Sequence, residues 1–82
     1  MRREQHDVLL VDFSKLMRDG MRAILERDSE FRVVGEAESG TDAVQLCKTT
    51  HPELVIMDMG LPGMNGIEAT IEILRHCPKA RS

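Results

Sequence analysis

The chain has 82 residues, enough for one small domain, with 41% hydrophobic and 30% charged residues. A net charge of -3, two Phe and no Tyr or Trp argue against a binder of nucleic-acid phosphates and against a base-stacking surface. The longest apolar runs are four residues, too short to span a membrane, and the start Met1-Arg2-Arg3 leads into Glu4, Gln5, His6 and Asp7 rather than a secretory signal.

Asp7 to Asp12 reads as a strand whose continuous apolar run, Val8-Leu9-Leu10-Val11, fits a position covered on both faces. Ser14 is a candidate N-cap for the first helix. Leu16, Met17, Met21, Ile24 and Leu25 recur there at helical spacing, which predicts an apolar face opposite Arg18, Asp19, Arg22 and Glu26. Phe31 to Ala37 reads as the second strand, and Ser39-Gly40-Thr41-Asp42 as a capping start for a helix with an Ala43, Val44, Cys47 stripe. His51-Pro52 stops that helix, and Glu53 to Asp58 forms the third strand. Asn65-Gly66-Ile67-Glu68 opens a third helix, with Ile67, Thr70, Ile71 and Leu74 expected inside and Cys77-Pro78 at its end. Strict β-α-β-α-β-α alternation predicts a parallel sheet with right-handed crossovers and helices on both faces.

Two carboxylates stand apart from the solvated remainder, which includes Glu26, Asp28, Glu30, Glu53 and Glu72. Asp12 and Asp58 each end an apolar strand, and the turn residues Met59-Gly60-Leu61-Pro62-Gly63 follow Asp58 directly. Parallel neighbours that each deliver an Asp at the C-terminal end form an acidic pocket at the edge where open α/β sheets bind ligands. Clustered carboxylates repel, which raises a pKa or recruits a divalent cation. Mg²⁺ takes one or two carboxylates, waters and phosphate oxygens. A carboxylate beside it can attack a phosphoryl group. Glycosidase chemistry also uses carboxylate pairs, but a chain this short and this poor in aromatics is a weak match for a sugar cleft. Neither G-x-x-x-x-G-K-[ST] nor G-x-G-x-x-G is present. His6, His51 and His76 lack ligand spacing and read as surface residues. Cys47 and Cys77 read as small apolar residues of a cytoplasmic protein, and Met59 and Met64 flank the proposed pocket.

Four segments together resemble the receiver domain of bacterial two-component response regulators of the LuxR/NarL type. They are Val8-Leu9-Leu10-Val11-Asp12, Leu16-Met17-Arg18-Asp19-Gly20-Met21-Arg22, Val33-Val34-Gly35-Glu36-Ala37 and Val55-Ile56-Met57-Asp58-Met59-Gly60-Leu61-Pro62-Gly63-Met64-Asn65-Gly66. The resemblance covers nearly the whole chain. It implies a flavodoxin-like doubly wound α/β sheet of order 2-1-3-4-5, of which this chain holds strands 2-1-3. Residues 1–82 are then expected to be a partial receiver, without strands 4 and 5, helices 4 and 5 or a C-terminal DNA-binding domain. The resemblance further implies Asp58 as the acceptor of a phosphoryl group from a sensor histidine kinase, and Mg²⁺ held by Asp12, Asp58 and the backbone carbonyl of Gly60. It implies a cytoplasmic signalling acceptor rather than an enzyme.

One departure concerns the site itself. The family usually shows a second acid after the first strand, and Phe13 occupies that position, which predicts weakened Mg²⁺ binding and slow phosphorylation. A second departure is length: the Ser/Thr after strand 4 and the Lys after strand 5 lie outside the chain. With order 2-1-3 the third strand falls at an edge, which predicts a homodimer, a swapped dimer or incomplete folding. The alternatives are a degenerate, phosphorylation-independent receiver serving as a protein-protein interaction module, for which Phe13 is the main support, and a flavin-binding or enzymatic fragment of the same fold.

Overall fold

The computed structural model describes residues 5–58 and 66–76. The elements follow in the order β1 (His6–Val11), α1 (Lys15–Glu26), β2 (Phe31–Ala37), α2 (Gly40–Thr50), β3 (Leu54–Met57) and α3 (Gly66–His76). The three strands form a parallel sheet, as the alternation predicts, in the order β2-β1-β3 that the family resemblance implies. The apolar run of β1 explains its central place: Val8, Leu9, Leu10 and Val11 are all fully buried.

Strand periodicity divides that run between two layers. Leu9 and Val11 join Ala37, Val55, Ala43, Val44, Cys47 and Ile73 in one core cluster between the sheet, α2 and α3. Val8 and Leu10 lie outside that cluster, on the opposite face, where α1 packs on β1 and β2. Cys47 is buried as expected, whereas Cys77 lies outside the described residues.

The register of β2 on β1 slips by one residue: Val8 faces Val33, but Leu9 faces Gly35. The bulge brings Gly35 close under α2, where an added Cβ would stand 3.1 Å from Leu9 Cδ1 and 3.6 Å from Leu46 Cδ1.

Helix caps follow the sequence signals. Ser14 Oγ accepts from the Met17 N–H at 3.2 Å, and Ser39 Oγ accepts from the Asp42 N–H at 3.2 Å. His51 ends α2 in the left-handed region with φ 49°, directly before Pro52. The proposed cap Asn65 lies outside the described residues.

Two helix faces differ from the periodicity argument. On α1 the half-buried residues are Arg18, Met21, Arg22 and Leu25, while Leu16, Met17 and Ile24 are exposed. The i, i+3, i+4, i+7 face that meets the sheet therefore carries two arginines, because β2 offers them Glu36 as a partner. On α3 the residue in the core is Ile73, and Ile71 and Leu74 are exposed. The helix leans on α2, so Ile71 faces the open groove beside Val44 rather than the sheet. The side chains of Ile67 and Thr70 lie outside the description.

Candidate functional site at the C-terminal edge of the sheet

Asp12 and Asp58 each lie one residue past the end of a strand, and the strands are neighbours. The β1–β3 register ends at Val11 opposite Met57, and the Asp58 N–H then donates to the Val11 carbonyl at 2.9 Å. On its other side Asp12 extends the β1–β2 ladder, its N–H donating to the Ala37 carbonyl at 3.0 Å. Backbone pairing thus delivers both carboxylates to one edge. Asp12 is half-buried and Asp58 exposed.

The Asp12 carboxylate is oriented locally. Its Oδ1 accepts from the Ser14 N–H at 2.9 Å, an Asx turn that leads into the Ser14 cap of α1. No described residue donates to Oδ2. Two hard oxygen donors on adjacent strands suit a divalent cation. No group of three or more His, Cys, Asp and Glu able to hold a metal occurs among the described residues. Gly60, Met59 and Met64 lie outside the described residues.

Phe13 follows Asp12 with its side chain 64% exposed. It brings no ligand to the edge, yet it is not packed into the structure. His6 and His51 are exposed, as their spacing suggests, and His6 Nδ1 lies 2.8 Å from Glu53 Oε2.

Behind Asp12 lies a network that the periodicity of α1 hides. Glu36 Oε1 accepts from Arg18 Nε at 2.9 Å, and Oε2 accepts from Arg22 through Nε at 2.9 Å and Nη2 at 2.7 Å. Arg18 Nη1 also donates to the carbonyls of Asp12 at 2.6 Å and Phe13 at 3.4 Å. Hydrogen bonding from Arg22 first, then from Arg18, holds the Glu36 carboxyl below the usual glutamate range, although burial opposes this. The same bond raises the Arg22 guanidinium. A sequence signal existed: Glu36 is the one acid inside an otherwise apolar strand end, and Arg18 and Arg22 share a helix face at i, i+4.

A parallel sheet of order β2-β1-β3 with helices around it and two acids at its C-terminal edge has the topology of the flavodoxin-like α/β class. The model of the response regulator receiver domain matches residues 8–81, and the chain belongs to that family. The response regulator UvrY of Escherichia coli strain K12 is 51% identical over 69 residues, which are 84% of this chain and 32% of the relative. A LuxR-family two-component response regulator from Aurantimonas sp. SI85-9A1 superposes with a TM-score of 0.87 at 38% identity, covering 95% of this chain and 56% of that one. The signal receiver domain of the putative response regulator NarL from Mycobacterium tuberculosis gives a TM-score of 0.87 at 30% identity, covering 96% of this chain and 64% of that one. The chain spans about a third of the length of UvrY. No described helix is long and apolar enough to cross a membrane.

Proposed function

We propose that Asp58 accepts a phosphoryl group from a sensor histidine kinase in a cytoplasmic two-component phosphorelay, and that this controls transcriptional output. The observation that carries the reading is the bond from the Asp58 N–H to Val11, which sets Asp58 beside Asp12 at the sheet edge. A carboxylate oxygen of Asp58 attacks phosphorus, the P–N bond to the kinase imidazole breaks, and an aspartyl phosphate remains on this chain. Asp12 and Asp58, with the Gly60 carbonyl, would hold Mg²⁺. When bound, the ion would offset charge on the transferring phosphoryl oxygens. Asp12 is pre-oriented for this by the Ser14 N–H.

On this reading the chain is a signalling acceptor rather than an enzyme. In LuxR-type regulators DNA contact belongs to a C-terminal domain, and transcriptional output through such a domain is part of this proposal. The test is incubation with a small phosphodonor and Mg²⁺, followed by peptide mapping. Label on Asp58 that Asp58→Asn abolishes supports the reading. A folded, Mg²⁺-bound chain without label would instead favour a phosphorylation-independent interaction module.

The outer edge of β3 supports a further partner, a second copy of this chain. Among the described residues no strand pairs with that side of Leu54–Met57, and such edges invite association. A homodimer or swapped dimer is expected in sedimentation at rising concentration; a monomer at every concentration would contradict it.

A further inference from the structure

We propose that Arg18 is a positioning residue for the acid site, acting through the backbone of the loop that carries Asp12. The proposal rests on the receiver reading above. Arg18 is only 12% exposed, and its guanidinium adds a side-chain link between two groups at the end of the β1–β2 ladder. One is Glu36 near the end of β2, and the other is the carbonyl pair of Asp12 and Phe13 just past β1. Arg22 also bonds the second oxygen of Glu36, at 2.7 Å, which favours the orientation that meets Arg18.

The result is that three of the polar groups of Asp12 have a fixed partner, which leaves Oδ2 as the oxygen turned to the edge. Its N–H is held by Ala37, its carbonyl by Arg18 and its Oδ1 by Ser14. The next residue, Phe13, supplies no carboxylate, so metal affinity at this edge leans on how well the Asp12 side chain is aimed. A planar fork that bonds a carboxylate and two carbonyls at once is a task for arginine. Partners behind a metal ligand commonly govern affinity by about 10-fold or more.

The experiment is an amide NMR titration of the ¹⁵N-labelled chain with Mg²⁺, comparing wild type with Arg18→Gln and Arg32→Gln. Arg32 pairs with Asp7 at the far end of the same strands and serves as the control for a lost surface ion pair. For Arg18→Gln, the amides of Asp12, Phe13 and Ser14 should shift before any Mg²⁺ is added, and the Mg²⁺ Kd should rise about 10-fold. Arg32→Gln should leave both unchanged. Wild-type shifts and affinity in a folded Arg18→Gln chain would overturn the proposal. If Arg18→Gln does not fold, Arg18→Lys keeps the charge without the fork. A raised Kd in that variant supports the role, and a wild-type Kd refutes it. Should the wild-type chain take up no Mg²⁺, the metal reading of Asp12 fails. The Arg18 clamp is then judged on the metal-free amide shifts alone, which support it if they move and refute it if they do not.

Discussion

The Asp58 N–H bonds the Val11 carbonyl at 2.9 Å, so the parallel pairing of β3 with β1 continues one residue past the strand and ends on the acid itself. Asp12 is the residue after Val11. The distance in sequence between the two acids is closed by a single ladder, and strand register brings them to one edge.

Phe13→Asp should strengthen Mg²⁺ binding and speed labelling of Asp58 by a small phosphodonor. The Phe13 ring is 64% exposed, so its loss should cost under about 0.5 kcal/mol of stability. Calorimetric Mg²⁺ titration checks the first effect, and an unchanged affinity would mean that position 13 is not a ligand position in this chain.

Acid should weaken the fold partly through Glu36. Its carboxyl is held low in the folded state by Arg22 and Arg18, so its contribution is fully present above the unfolded glutamate value of about 4.3. That contribution is lost as pH falls from there through the folded-state value. Glu36→Gln should lower stability by about 1–3 kcal/mol at neutral pH and flatten the decline in acid. Urea unfolding on both sides of about pH 4 reads the difference.

Gly35→Ala should destabilise the domain by about 1 kcal/mol or more. The new methyl would press on Leu9 Cδ1 at 3.1 Å, and Leu9 is fully buried, so it has little room to yield. Thermal unfolding measures this.

Ser39→Ala removes the acceptor for the Asp42 N–H and should cost about 1 kcal/mol. Urea unfolding of the variant measures the loss.

Much of this was legible from the chain. Val8 to Val11 and Leu54 to Met57 mark strands by apolar continuity, and the Asp that follows each run lies at the C-terminal edge of the sheet. Ser14, Ser39 and His51-Pro52 place helix ends by local hydrogen bonding, which depends on few neighbours. The facing of α1 was not legible, because Leu16, Met17 and Ile24 give a strong periodic signal while tertiary pairing with Glu36 turns Arg18 and Arg22 inward. Ile73 was missed on α3 for a related reason: packing against α2 rotates the helix away from the face its sequence favours.

The central claim is that Asp12 and Asp58 form one cation site, and a double-mutant cycle on Mg²⁺ binding tests it most directly. Calorimetry on wild type, Asp12→Asn, Asp58→Asn and the double variant should show binding in wild type and a large loss in each single variant. Little further loss should appear in the double. An Asp12→Asn chain that binds Mg²⁺ as tightly as wild type would contradict the account.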